Sequence, residues 1–127
     1  MRPQQEIVID LLPEEAWWGG VVNDGIRMPF PPGCEMKRDL NGHLAYNQGA
    51  PLLLSNKGGY VWSEEPFRFV LMDGQLRITG TAELIRSGRC GDSLREGYLH
   101  ASQTFFPSSG NAPDRKFFNV PQYNTWM

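Results

Sequence analysis

At 127 residues, with 40% apolar and 20% charged side chains, the chain has the size and composition of one globular domain, which excludes a disordered segment. A net charge of -2 and a pI near 5.6 come with no visible basic patch, so nucleic acid is not an expected partner. No apolar run is long enough to span a membrane. Residues 1–6 lack the apolar stretch of a signal peptide, which makes a cytoplasmic location the default; a periplasmic or secreted one stays open if residues precede Met1.

The 14 glycines and 10 prolines suit short strands joined by many turns. Residues 6–12 place Ile7, Ile9 and Leu11 on one face of a half-buried strand, which Pro13 ends. Asn23-Asp24-Gly25 reads as a tight turn after the 17–22 segment, with residues 26–30 as the return strand. Pro29, Pro31 and Pro32 prevent regular pairing beyond it. Residues 33–50 are polar and irregular and read as one long surface loop, a class of segment that is often functional. A short buried strand is expected over 51–55, a turn over 56–59 and a further strand over 60–62.

The clearest local unit covers residues 67–79. Phe67, Phe69 and Leu71 point one way, Arg68, Val70 and Met72 the other. Asp73-Gly74 supplies a hairpin turn, after which Leu76 and Ile78 return along the apolar face. One more strand is expected over 81–86. Ser93-Leu94-Arg95-Glu96 matches a capping box. Leu94, Tyr98, Ala101 and Phe105 form a helical stripe, which predicts an amphipathic helix over 93–104. Residues 107–110 end it, and 117–120 read as a strand. The expected fold is a mainly β antiparallel sandwich with one helix toward the C-terminus.

Cys34 and Cys90 read as two free buried thiols, with one long-range disulfide as the alternative, and their spacing matches no zinc motif. Gly19-Gly20 and Gly58-Gly59 lack a phosphate-loop pattern, and no cofactor or metal is implied. Ser93, Ser102 and Ser108 lack the context of a nucleophilic elbow. The adjacent Glu64 and Glu65 point to opposite faces of an extended chain and read as a solvated strand end, as do Asp10, Glu14 and Glu15. His100 reads as a surface or half-buried residue. His43 lies in the polar loop with Asp39 and Asn41, without a motif to support isomerase chemistry.

Three stretches resemble glycoside hydrolase family 31, the α-glucosidase and α-xylosidase group. The first is Ala50-Pro51-Leu52-Leu53-Leu54-Ser55-Asn56-Lys57-Gly58-Gly59-Tyr60-Val61-Trp62-Ser63-Glu64-Glu65-Pro66-Phe67. It is similar to a stretch of that family's N-terminal β-sandwich. The second is Leu94-Arg95-Glu96-Gly97-Tyr98-Leu99-His100-Ala101-Ser102, followed by Phe105-Phe106-Pro107-Ser108-Ser109-Gly110. It is similar to the helix and loop leading toward the catalytic barrel. The third, Pro121-Gln122-Tyr123-Asn124-Thr125-Trp126-Met127, looks like the approach to the first barrel strand.

The resemblance implies a galactose-mutarotase-like sandwich over residues 1–90. Residues 91–127 would then form a helix and linker leading into a catalytic β/α barrel. It implies a non-catalytic domain of a retaining α-glycosidase, because that family's aspartate nucleophile and acid/base both stand in the barrel, so no residue here inherits a catalytic role. Carbohydrate and the downstream barrel are the implied partners. Sugars pack their C–H faces on aromatic rings and bind amides through their hydroxyls. Tyr46, Asn47 and Gln48 in the long loop, and Trp126 in the tail, are therefore the candidate substrate-binding residues.

Two further readings stay open, a free-standing carbohydrate-binding or interaction module and a small mutarotase-like isomerase. The tail aromatics Phe117, Phe118, Tyr123 and Trp126 need a partner surface. They are expected to fold back on the sandwich, to be covered by a second chain, or to be disordered, and exposure of several would favour self-association.

Overall fold

The computed structural model describes residues 2–42 and 48–125. Eight strands form two four-stranded antiparallel sheets, a β-sandwich. The strands are β1 (Gln4–Asp10), β2 (Trp17–Val21), β3 (Met36–Asp39), β4 (Gly49–Ser55), β5 (Gly59–Trp62), β6 (Arg68–Met72), β7 (Gln75–Thr81) and β8 (Arg86–Arg89). One sheet runs β1-β7-β6-β3, the other β2-β4-β5-β8. A helix, α1 (Leu94–Phe105), and a single helical turn, α2 (Lys116–Asn119), follow the last strand.

The hairpin of β6 and β7 is the organising unit of the first sheet. Asp73 and Gly74 both take positive φ, 52° and 72°, the backbone that a two-residue turn between twisted strands requires. In the resulting register Leu71 faces Leu76 and Phe69 faces Ile78. Phe67, Phe69, Leu71, Leu76 and Ile78 are all buried on the inner face. The opposing sheet contributes Trp17, Val21, Leu53 and Val61 to the same core, closed at the margins by Phe30, Leu40 and Ile85. Ile7, Ile9 and Leu11 pack against it half-buried, as the alternation of β1 requires.

Several segments depart from the sequence reading. Residues 26–30 are not a return strand. Val22–Arg27 forms a 3₁₀ helix, and only Phe30 pairs back, bridging Trp17. Asp24 explains the change: it is buried and accepts a bidentate pair from Arg38, Nε and Nη2 each at 2.6 Å. That long-range bond holds the turn in place of a hairpin. Residues 33–50 are not one loop, because β3 pairs with β6, Met36 opposite Leu71.

The strand expected over 81–86 is displaced. Residues 82–84 form a turn, and β8 takes Arg86–Arg89 onto the edge of β5. Residues 117–120 are not a strand, since residues 116–119 close a helical turn whose first amide, Lys116 N–H, donates to Asp114 Oδ1 at 2.9 Å. Cys34 and Cys90 are both free thiols, half-buried.

Helix α1 covers the outer face of the second sheet. Ser93 caps it, accepting from Glu96 N–H at 3.3 Å, while the Glu96 carboxylate accepts from the Asp92 amide and the Ser93 hydroxyl. Of the expected stripe Ala101 is buried and Leu94 and Phe105 are half-buried, and Tyr98 alone departs from it. Gly97 and Ala101 face the sheet, and Tyr98 is 56% exposed. Gly97 permits close approach of the helix to the sheet. A methyl group there would stand 3.1 Å from the Gly58 carbonyl oxygen, so the backbone of the helix rests on the β4–β5 turn.

Candidate functional site

The outer face of the second sheet is aromatic because β4 and β5 alternate. Leu54 pairs with Tyr60 and Leu52 with Trp62, all four pointing away from the core. Helix α1 lays His100 and Phe105 on this layer. Tyr60 and His100 have ring centroids 4.6 Å apart, and Trp62 stacks on Phe105 at 5.8 Å. Phe106 meets Trp62 in a T-shaped pair, ring centroids 4.7 Å apart. Trp62 and Phe105 thus serve packing, as does His100, half-buried against Tyr60.

This layer is tethered from below by a charged node. Glu15 is fully buried. Its Oε1 accepts from Arg89 Nη2 at 2.8 Å and from the Leu12 amide at 3.0 Å; its Oε2 accepts from Ser55 Oγ at 2.7 Å and from Arg89 Nη1. Burial raises its pKa, but the hydrogen bonds from Arg89, Ser55 and Leu12, with the Arg89 charge, outweigh that and hold it below the ordinary 4.5. The same pair raises the Arg89 pKa. Glu15 is therefore no solvated strand end; it links the lead-in to β2 with β4 and β8. The sequence carries no local sign of this, because its partner stands 74 residues away.

Beyond Phe106 the chain leaves the sandwich. Every residue from 106 to 125 is exposed. Phe117 is 63%, Phe118 72% and Tyr123 93% exposed. The tail's hydrogen bonds are local, such as Phe118 N–H to Arg115 O and Val120 N–H to Lys116 O. Of the three fates expected for these aromatics, folding back onto the sandwich does not occur for Phe117, Phe118 and Tyr123.

Two further apolar surfaces lie open. A shallow groove of about 570 Å³ runs between the second sheet and α1, lined by Trp18, Leu54, Leu94, Arg95 and Tyr98. A second, of about 390 Å³, lies against Gly19, Gly20, Val22, Met28 and Leu52, with Ile26 almost wholly exposed nearby. Gly19 there takes φ 125°, and a side chain on it would collide with the Leu52 carbonyl at 2.2 Å, so the edge of β2 is a bare backbone bulge.

Of the candidate sugar contacts, Tyr46, Asn47 and Trp126 lie outside the described residues, as does His43. Gln48 is exposed, and its carbonyl accepts from the Val22 amide at 2.8 Å, which anchors the start of β4 beside the 3₁₀ helix. Among the described residues no group of three or more His, Cys, Asp or Glu side chains is placed to hold a metal ion. No helix among them is long and apolar enough to cross a membrane. A scan against protein-family models finds no match to this chain, and a search of curated protein sequences likewise finds none.

Proposed function

We propose that this chain is a non-catalytic β-sandwich domain that docks against the catalytic barrel of a retaining α-glycosidase resembling glycoside hydrolase family 31. Its sandwich would take the galactose-mutarotase-like topology of that family. One observation carries the reading: the tail is exposed from residue 106 to residue 125 and presents Phe117, Phe118, Val120 and Tyr123 to solvent. Burying one large apolar side chain stabilises by roughly 1.5–3 kcal/mol, so a tail of this composition favours a partner surface.

The resemblance supports the barrel as that partner. The Ala50-to-Phe67 stretch forms β4, β5 and the lead into β6. The Leu94-to-Gly110 stretch forms α1 and its exit. The third stretch, as far as Thr125, is the exposed tail. Gln48, with Tyr46 and Asn47 beside it in sequence, would lend a loop to the sugar pocket, and Trp126 would approach it from the tail.

A free-standing carbohydrate-binding module is the second reading, favoured by the aromatic walls Trp18 and Tyr98 of the groove beside α1. The two are separated by activity. The polypeptide encoded beyond Met127, expressed with residues 1–127, should hydrolyse an aryl α-glucoside or α-xyloside, and residues 1–127 alone should not. Turnover by the isolated chain, abolished by a point substitution within it, would overturn the proposal. So would a reading frame that encodes no barrel after Met127.

A further inference from the structure

A cleft of about 320 Å³ opens at one end of the first sheet, lined by Gln4, Asn41, Glu65, Arg68, Thr79 and Thr81 together with Pro66 and Phe67. The strand pairing brings these residues together. Gln4 pairs with Thr81 and Arg68 with Thr79, and Thr79 and Thr81, two residues apart, share one face of β7. The volume falls at the lower end of the range typical of small-molecule sites.

The chemistry of the lining narrows the ligand. Its charges are already matched: Glu65 is paired with Arg2, and Arg68 Nε lies 2.8 Å from Asp39 Oδ2. The cleft therefore offers no uncompensated charge to an ion. What it offers is hydrogen-bonding capacity of both kinds. Thr81 Oγ1 donates to Glu65 Oε2 at 2.8 Å and keeps its lone pairs, and Asn41 donates through Nδ2 to Asp39 and keeps its carbonyl. The Thr79 hydroxyl and the Gln4 side-chain amide make no hydrogen bond among the described residues. Groups that donate and accept side by side match vicinal hydroxyls, each of which also does both. Phe67 is 1% exposed and offers no ring face, so an aromatic or lipid ligand gains little here.

We propose that this cleft binds a small neutral polyhydroxylated ligand, a mono- or disaccharide, through Gln4, Asn41, Glu65, Thr79 and Thr81. The site is separate from the docking surface and stands or falls independently of it. Titration of the isotope-labelled chain with glucose, xylose and maltose, followed by amide chemical shifts, tests it.

Saturable shifts are expected at Gln4, Asn41, Thr79 and Thr81. The isosteric Thr79→Val variant should weaken binding at least about fivefold, the loss of roughly one hydrogen bond. Ile26→Ala, almost wholly exposed and outside the cleft, should leave affinity unchanged. Unaltered amide shifts in the 67–79 hairpin outside the cleft would show that Thr79→Val is folded. The proposal is overturned by three outcomes: no saturable shift with any of the three sugars, shifts centred on Trp18 and Tyr98, or equal affinity in folded Thr79→Val. Stronger binding of glucose 6-phosphate than of glucose at the same residues would overturn the neutral ligand class.

Discussion

Replacing Arg89 by methionine should destabilise the sandwich far more than a surface charge deletion does. Glu15 is fully buried, and Arg89 supplies two of its hydrogen bonds and its only countercharge among the described residues. Removing one partner of a buried pair costs about 3–5 kcal/mol. The Arg89 side chain is 31% exposed, so water can reach part of the vacated space, and Ser55 and the Leu12 amide still bind the carboxylate. The expected loss is therefore at the low end, about 3 kcal/mol. Urea unfolding followed by tryptophan fluorescence measures it, with buried Trp17 as the reporter. With a slope near 1.5 kcal/mol per molar, the midpoint should fall by about 2 M.

Arg77→Met is the control. Arg77 and its partner Glu6 are each half exposed, and such pairs contribute about 0–1 kcal/mol. The Glu15→Leu/Arg89→Met double variant should recover part of the loss, since it leaves no buried charge unpaired. If Arg89→Met shifts the midpoint no further than Arg77→Met does, the node is not a buried ion pair in solution and the reasoning fails.

Three further outcomes follow from the same structure. The Glu15 pKa is lowered on folding, so its contribution should be complete above about pH 4.5 and vanish as pH falls through its folded value; Asp39, lowered chiefly by the Asn41 amide, acts in the same direction. An acid titration of stability in which Glu15→Gln flattens none of this loss would contradict it. Gly97→Val should destabilise by about 1–3 kcal/mol through overpacking against the Gly58 backbone. Gly97→Ala should be close to neutral, its tighter contact offset by about 1 kcal/mol of helix propensity; both are read by thermal unfolding. Phe117→Ser with Phe118→Ser should change the stability of the isolated chain by less than about 0.5 kcal/mol, because both rings are exposed.

What the sequence made legible was local. The β6–β7 hairpin carries a two-residue period and an Asp-Gly turn within one window, and helix α1 carries its cap three residues from its partner. What it hid was long-range. Arg86–Arg89 shows no buried residue and becomes a strand only because β5 offers an edge. Met36–Asp39 has one buried side chain, Met36, and is fixed by pairing with β6. Ile26, Met28 and Phe30 alternate as a strand would, yet the ion pair from Asp24 to Arg38 decides that segment. Leu94, Ala101 and Phe105 of the expected stripe do turn inward, but Gly97, resting on Gly58, takes the place expected of Tyr98. Of the sugar contacts expected from the sequence, Tyr46, Asn47, Gln48 and Trp126, only Gln48 lies among the described residues, where its backbone pairs with Val22.

Hydrogen exchange at the amides of residues 116–123 tests the docking proposal most directly. It is measured in the isolated chain and again in the longer, barrel-bearing protein that the docking proposal requires. Exposed side chains and a single helical turn predict fast exchange in isolation. Attachment of the barrel should slow exchange across Phe117, Phe118, Val120 and Tyr123 together. Equal exchange in the two proteins would mean that this tail meets no barrel, and the docking role would be wrong.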